Sequence, residues 1–173
     1  MIDVSPYRFR FWLYPPLILS LIGLVQGGDM HLSDTFTGKP QERWRFLTDQ
    51  VMGGVSTGNL RFEALQRQNV ARMTGNVSTE NNGGFIQFRR KMTAASGSNG
   101  VEIRVRGNGE KYFVHLRTSG TVLPWQHYQA SFDTTDKWKT IRIPFRNFVG
   151  SSDWLSEDVS PSSIRSLGMV AYG

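Results

Sequence analysis

The chain has 173 residues, a formal net charge of +6, 12% aromatic residues, 18 glycines and no cysteine. That length fits one domain with its own core, and the missing cysteine excludes disulfides, a thiolate nucleophile and Cys-based metal or iron–sulfur sites. The basic balance admits anionic lipid or an acidic protein face as a partner; the arginines are spread along strand-like runs and no nucleic-acid motif is present, so nucleic acid is set aside.

Residues 1–10 carry Arg8 and Arg10, and residues 11–25 are an apolar block that includes Pro15 and Pro16. A transmembrane helix needs about 20 apolar residues and tolerates a proline pair badly. A basic lead, a short apolar block and the small residues Gly27 and Gly28 read as a secretory signal peptide over residues 1–28. An uncleaved N-terminal anchor and an upstream start codon are the alternatives. The expected product is periplasmic or secreted, or held at the membrane through residues 11–25. The alternative is a cytoplasmic, membrane-associated chain. Residues 29–173 form the expected domain.

Residues 32–36 open that domain. Trp44 and Phe46 alternate with Arg45, the period of a strand, and run into Asp49, Gln50 and the pair Gly53-Gly54. Glycine pairs give positive φ at little steric cost, so this is a shaped turn. An echo follows at residues 75–85, again Val-Ser-Thr with a Gly-Gly pair. Residues 58–62 and 69–74 read as partner strands joined by a polar turn. The two loops are therefore predicted to pack side by side as one surface feature; otherwise each is only a tight connection.

Residues 84–91 form a further strand. Val101, Ile103 and Val105 then alternate strictly with Glu102, Arg104 and Arg106. Asn108-Gly109 is a strong hairpin signal, with residues 111–118 as the return strand. This hairpin would carry Arg104, Arg106, His115 and Arg117 on one solvent face. Gly107-Asn108-Gly109 lacks the third glycine and the following helix of a dinucleotide fingerprint. Residues 125–133 alternate Tyr128, Ala130 and Phe132 with Trp125, His127, Gln129 and Ser131. Residues 138–145 follow, Pro144 marking a strand end or a sheet edge. A polar loop at 148–161 precedes a last strand at 164–172. Many short strands with glycine-rich turns describe an all-β sandwich or barrel.

Residues 46–56, Phe-Leu-Thr-Asp-Gln-Val-Met-Gly-Gly-Val-Ser, resemble the hallmark of the complex I intermediate-associated protein 30 family. So do residues 75–85, 100–109, 125–130 and 138–148, and the resemblance runs from residue 32 to residue 173. It implies a galactose-binding-like jelly-roll β-sandwich, related in architecture to carbohydrate-binding modules, with few or no long helices. Family members continue with a final strand where this chain stops at Gly173. Either the chain is truncated or one sheet edge is unfilled, open to partners or aggregation. Mitochondrial members are assembly chaperones for NADH:ubiquinone oxidoreductase. The resemblance thus implies a non-catalytic interaction protein whose client is a complex I subunit or intermediate.

His31, His115 and His127 are the only histidines and none falls at a metal-ligand spacing. No metal, cofactor or catalytic residue is expected. Asp49, Glu80 and Glu102 are scattered acids, and convergence of two as a glycosidase-like pair stays open. Ser56 and Ser78 lack an adjacent base, so turn hydrogen bonds explain them. Two surfaces remain. For a protein client it is the loop pair, with Asp49, Gln50, Met52, Asn81 and Asn82 exposed and Ser56 and Glu80 beside them. Met52 is there either a flexible apolar contact or a core residue. For a glycan it is a sheet face carrying Arg104, Arg106, His115, Arg117, Trp125, His127 and Gln129; otherwise that face is plainly solvated. Trp125 or Phe113 open to solvent would favour the glycan reading, that of a carbohydrate-binding envelope protein.

Overall fold

A computed structural model describes residues 2–5, 33–65 and 68–173. Eleven strands are described: β1 Ile2–Ser5, β2 Trp44–Thr48, β3 Thr57–Leu65, β4 Gln68–Asn76, β5 Phe85–Lys91, β6 Gly100–Gly107, β7 Lys111–Thr118, β8 Tyr128–Asp133, β9 Lys139–Pro144, β10 Val149–Gly150 and β11 Ile164–Tyr172. They form a five-stranded sheet in the order β3-β4-β1-β6-β9 and a six-stranded sheet in the order β10-β8-β7-β11-β5-β2. Every pairing is antiparallel. The only α-helix among the described residues is the single turn α1, Pro40–Arg43.

Period-two alternation builds this sandwich directly, because each strand buries one face and leaves the other to solvent. Met73 on β4 and Val101, Ile103 and Val105 on β6 face inward from one sheet. Phe88 on β5, Val114 and Leu116 on β7, and Leu167 and Met169 on β11 face inward from the other. All nine are buried in one continuous core. The predicted pair at 58–62 and 69–74 is the β3–β4 hairpin, and Pro144 ends the edge strand β9.

One expected hairpin is absent. β6 and β7 lie in different sheets, β6 between β1 and β9, β7 between β8 and β11. Residues 107–111 therefore carry the chain from one layer to the other. Gly107 crosses against Thr134, where a Cβ would meet the Thr134 hydroxyl at 2.5 Å. Asn108 turns the chain and accepts a 2.8 Å hydrogen bond from the Tyr112 hydroxyl. Two amphipathic strands that face each other across a core show the same alternation as two that share a sheet, so periodicity does not separate the cases. As a result Arg104 and Arg106 stand on the outside of one sheet, and His115 and Arg117 on the outside of the other.

The strand expected from residue 125 starts at Tyr128, and Trp125 belongs to the turn before it. The last strand, β11, is paired on both sides, by β5 and β7. β1 falls within the stretch read as a leader, yet it is the central strand of its sheet and Ile2 is fully buried. The apolar block at 11–25 and the small residues Gly27 and Gly28 lie outside the described residues, as does His31. Among the described residues no helix is long and apolar enough to cross a membrane.

Asp34, not singled out from the sequence, straps the start of the domain to the six-stranded sheet. Its carboxylate accepts hydrogen bonds from Phe36 N at 2.8 Å, Trp44 Nε1 at 2.8 Å, Arg43 Nη2 at 3.1 Å and the Arg90 guanidinium. Burial pushes its pKa up, but these donors outweigh burial and hold it below the ordinary value.

Candidate functional site

The two glycine-rich loops do meet, and Asp49 joins them. It opens a 3-10 turn, Asp49–Met52, entered from β2 through Thr48, whose hydroxyl accepts from Gln50 N at 3.3 Å. Its Oδ1 accepts from Ser56 N at 2.9 Å. Its Oδ2 accepts from the Ser56 hydroxyl, from Gly84 N at 2.6 Å and from Phe85 N at 3.4 Å. The Ser56 oxygen in turn accepts from Ser78 N at 3.0 Å. One carboxylate and one hydroxyl thus tie the first loop to the second.

Each Gly-Gly pair divides its labour in the same way. Gly53 and Gly84 take positive φ, +91° and +126°, which costs a residue with a Cβ heavily. Gly54 and Gly83 instead press against the Asp49 carboxylate, where any Cβ would overlap it. The shared motif therefore encodes one object seen from both sides, a pocket of backbone around a buried acid. Burial raises the Asp49 pKa, but the bonds from Ser56, Gly84 and Phe85 outweigh it and hold the carboxyl below its ordinary range.

The expectation that Asp49 is an exposed contact residue is corrected by this geometry. Asp49 and Ser56 are both 0% exposed. What the knot presents to solvent is apolar: Val51 is 67% exposed, Met52 62% and Val55 42%. Met52 is thus a surface residue and not part of the core. Gln50 beside it is exposed, with its Nε2 donating to Ser56 O at 3.1 Å. Glu80, Asn81 and Asn82 are exposed on the second loop. Asn81 and Asn82 both take left-handed backbone, φ 55° and 56°, which asparagine tolerates better than most residues. Sequence reading missed Val51 and Val55 as surface groups. The signal that finds them is two apolar residues inside a turn too short to bury them.

The second expected surface is divided. Arg104 and Arg106 lie on the five-stranded sheet, each guanidinium 5.2 Å from the Trp138 ring centroid. His115, Arg117, His127 and Gln129 lie on the outer face of the six-stranded sheet. There a ladder of rings runs down the strands. Phe113 meets Tyr172 edge-on at 5.0 Å, the Tyr172 hydroxyl is 3.0 Å from His115 Nε2, and the His115 ring stacks on His127 at 3.9 Å. His127 Nδ1 lies 2.8 Å from the Trp125 carbonyl, and Trp125 itself is 63% exposed. Burial and then His127 hold the His115 pKa down at about 3, and burial lowers His127 also. Both rings are therefore uncharged stacking surfaces at neutral pH.

The three acids considered for a catalytic pair are far apart in role. Asp49 is enclosed in the loop knot, Glu80 is exposed, and Glu102 is buried on β6 with Arg142 Nε at 2.7 Å. Among the described residues no three His, Asp or Glu side chains gather as a cation site.

A family model described as Complex I intermediate-associated protein 30 (CIA30) matches residues 34–172. No curated protein matches the chain. Among solved structures, the chain is similar to the family 11 carbohydrate-binding module from Clostridium thermocellum in complex with a β-1,3-1,4-mixed-linked tetrasaccharide. Identity is 16% and the TM-score 0.62, over 80% of this chain and 83% of that one. The family 11 module of the cellulosomal cellulase Lic26A-Cel5E of the same organism is 18% identical with a TM-score of 0.61, over 80% and 82%. At these identities the likeness is one of fold: a galactose-binding-like β-sandwich.

Proposed function

The chain belongs to the complex I intermediate-associated protein 30 family, and we propose that it is a non-catalytic assembly factor that holds a protein client through the apolar knuckle of the Asp49 loop. One observation carries this reading. Three apolar side chains, Val51, Met52 and Val55, are displayed on a turn that a buried carboxylate holds rigid. A loop held in its binding shape loses little freedom on association, and an exposed methionine adapts to varied apolar surfaces. The client that the family resemblance points to is a subunit or intermediate of NADH:ubiquinone oxidoreductase. The test is a host deleted for this gene and complemented with wild type or with Val51→Ser/Met52→Ser. The double variant is expected to melt with wild type and to leave complex I subassemblies on native gels. Full assembly with the double variant removes the knuckle from the account.

A second reading, glycan binding, is supported by Trp125, 63% exposed in the turn whose carbonyl meets His127 of the ring ladder. The two readings separate by compartment. A chain kept on the cytoplasmic side meets the peripheral arm of complex I, whereas an exported chain meets envelope glycans. Fractionation of a C-terminally tagged chain decides between them. Recovery in the periplasm with a new N-terminus near Gly28 would remove the complex I role.

A further inference from the structure

The outer face of the six-stranded sheet carries a charge pattern that folding alone does not call for. Strand register aligns Arg45, Arg89, Gly168, His115 and Gln129 in one row across five strands. The adjacent row holds Lys91, Ser166 and Arg117. The middle strand, β11, contributes only Gly168 and Ser166 to these rows, so a trough runs between β5 and β7. Neighbouring strands are about 4.8 Å apart, which sets its banks roughly 10 Å from each other, the width of one sugar chain. A Cβ on Gly168 would stand 3.2 Å from Arg89 Cβ and begin to fill it.

Arg45, Arg89, Lys91, Arg117 and Arg165 line this trough. Among the described residues none of the five pairs with a carboxylate: Arg43 and Arg90 take Asp34, and the one acid at the rim, Glu42, lies 2.9 Å from Lys39. Arg117 is held by neutral groups, donating to Thr121 O at 2.8 Å, Leu123 O at 2.9 Å and Pro124 O at 3.0 Å. Its charge is placed but not neutralised, and Arg89 is close enough to repel it. Such a site lowers its own electrostatic cost only when an anion enters, and a guanidinium fork matches a carboxylate.

The ligand's class follows from the backbone. β5, β11 and β7 are interior strands, each paired on both sides. An extended peptide docks on a sheet chiefly by adding to an open edge, and this trough offers no edge. Recognition there rests on side chains: guanidinium forks on both banks, Arg89 from β5 and Arg117 from β7, with the uncharged stacked rings of His115 and His127 beside Arg117. Sugar rings present apolar faces to such rings, and uronic acids carry a carboxylate on each ring.

We propose that this trough binds a carboxylated polysaccharide, its acid groups on Arg45, Arg89 and Arg117 and its ring faces on His115, His127 and Trp125. The proposal rests on the glycan reading and is independent of the knuckle. The test is calorimetry on the full chain with polygalacturonate, neutral mixed-linkage β-glucan and polyglutamate. Polygalacturonate is expected to bind, more weakly as salt rises. Arg45→Gln/Arg89→Gln is expected to lose at least tenfold in affinity without losing its melting transition, and Arg89→Lys, which keeps the charge without the fork, to lose part of it. Equal binding by the double variant, or equal affinity for polyglutamate, would overturn the proposal. Binding of neutral glucan alone overturns acid selectivity and leaves the glycan reading standing, whereas no binding of either polysaccharide overturns both.

Discussion

Asp49, in the turn that follows β2, and Arg89, on the neighbouring strand β5, end in opposite circumstances. Asp49 is fully buried and accepts four hydrogen bonds from three residues in two loops. Arg89 is half-buried in a row with Arg45, and the one acid lining the same trough, Glu42, pairs with Lys39. The motif residue that looks most like a working acid is architecture. The strand residue that looks like an ordinary solvated arginine pairs with no carboxylate among the described residues. A charge satisfied within the fold shapes the chain around itself, and a charge left without a partner is available to a ligand. The same contrast divides the hallmark loop, where Asp49 builds and Val51, Met52 and Val55 are displayed.

The most severe way to test this contrast is to remove the buried acid. Asp49→Ala leaves the donors of Ser56, Gly84 and Phe85 without their acceptor, and buried donors without partners are costly. It is expected to give the largest fall in melting temperature of any single change considered. A melting curve like wild type would mean that the knot does not hold the loops. Gly83→Ala asks the same question more gently, because it keeps the acid and crowds it. Overpacking of this kind costs about 1–3 kcal/mol, roughly 2–12 °C of melting temperature at this chain length.

Acid separates the two regions by pH. Asp49 is held below 3.8 in the folded chain, so what it contributes is complete above that value and is lost as pH falls through its folded pKa. His115 has its pKa depressed from 6.5 to about 3. The unfolded chain takes up that proton first, so stability declines as pH falls from about 6.5 towards 3. His115→Gln is expected to reduce the slope of the upper limb of a stability–pH curve, which His127 shares, and Asp49→Asn that of the lower one, which Asp34 shares. The same limb altered by both changes would contradict the separation. The smallest expected effect on stability belongs to the displayed residues. Val51→Ser/Met52→Ser and Arg45→Gln/Arg89→Gln are both expected within about 0.5 kcal/mol of wild type by urea unfolding, as surface changes usually are.

Much of this was legible in the sequence. Alternation at residues 101–105 and 112–116 located two strands, and the repeat of Val-Ser-Thr with Gly-Gly pointed to loops that pack together. What the repeat could not convey was that an acid lies between them, since an aspartate in a turn usually faces water. The donors that enclose Asp49 come from residues 56, 84 and 85, and it is the β2–β5 pairing, which sets Thr48 opposite Ile86, that brings residues 84 and 85 to it. Asn108-Gly109 signalled a reversal correctly but not that the chain changes sheets there, because both outcomes bury the same alternate residues. That one difference placed Arg104 and Arg106 on the wrong side of the molecule. Asp34 escaped notice for the reason Asp49 was misread: its partners lie up to 56 residues away.

Assembly of complex I in a host lacking this protein, complemented with Val51→Ser/Met52→Ser, is the most direct test of the displayed knuckle. Stable, well-folded variant protein, accumulated subassemblies and little mature complex on native gels are expected. Mature complex at the wild-type level, with the variant confirmed as the sole copy, would contradict it.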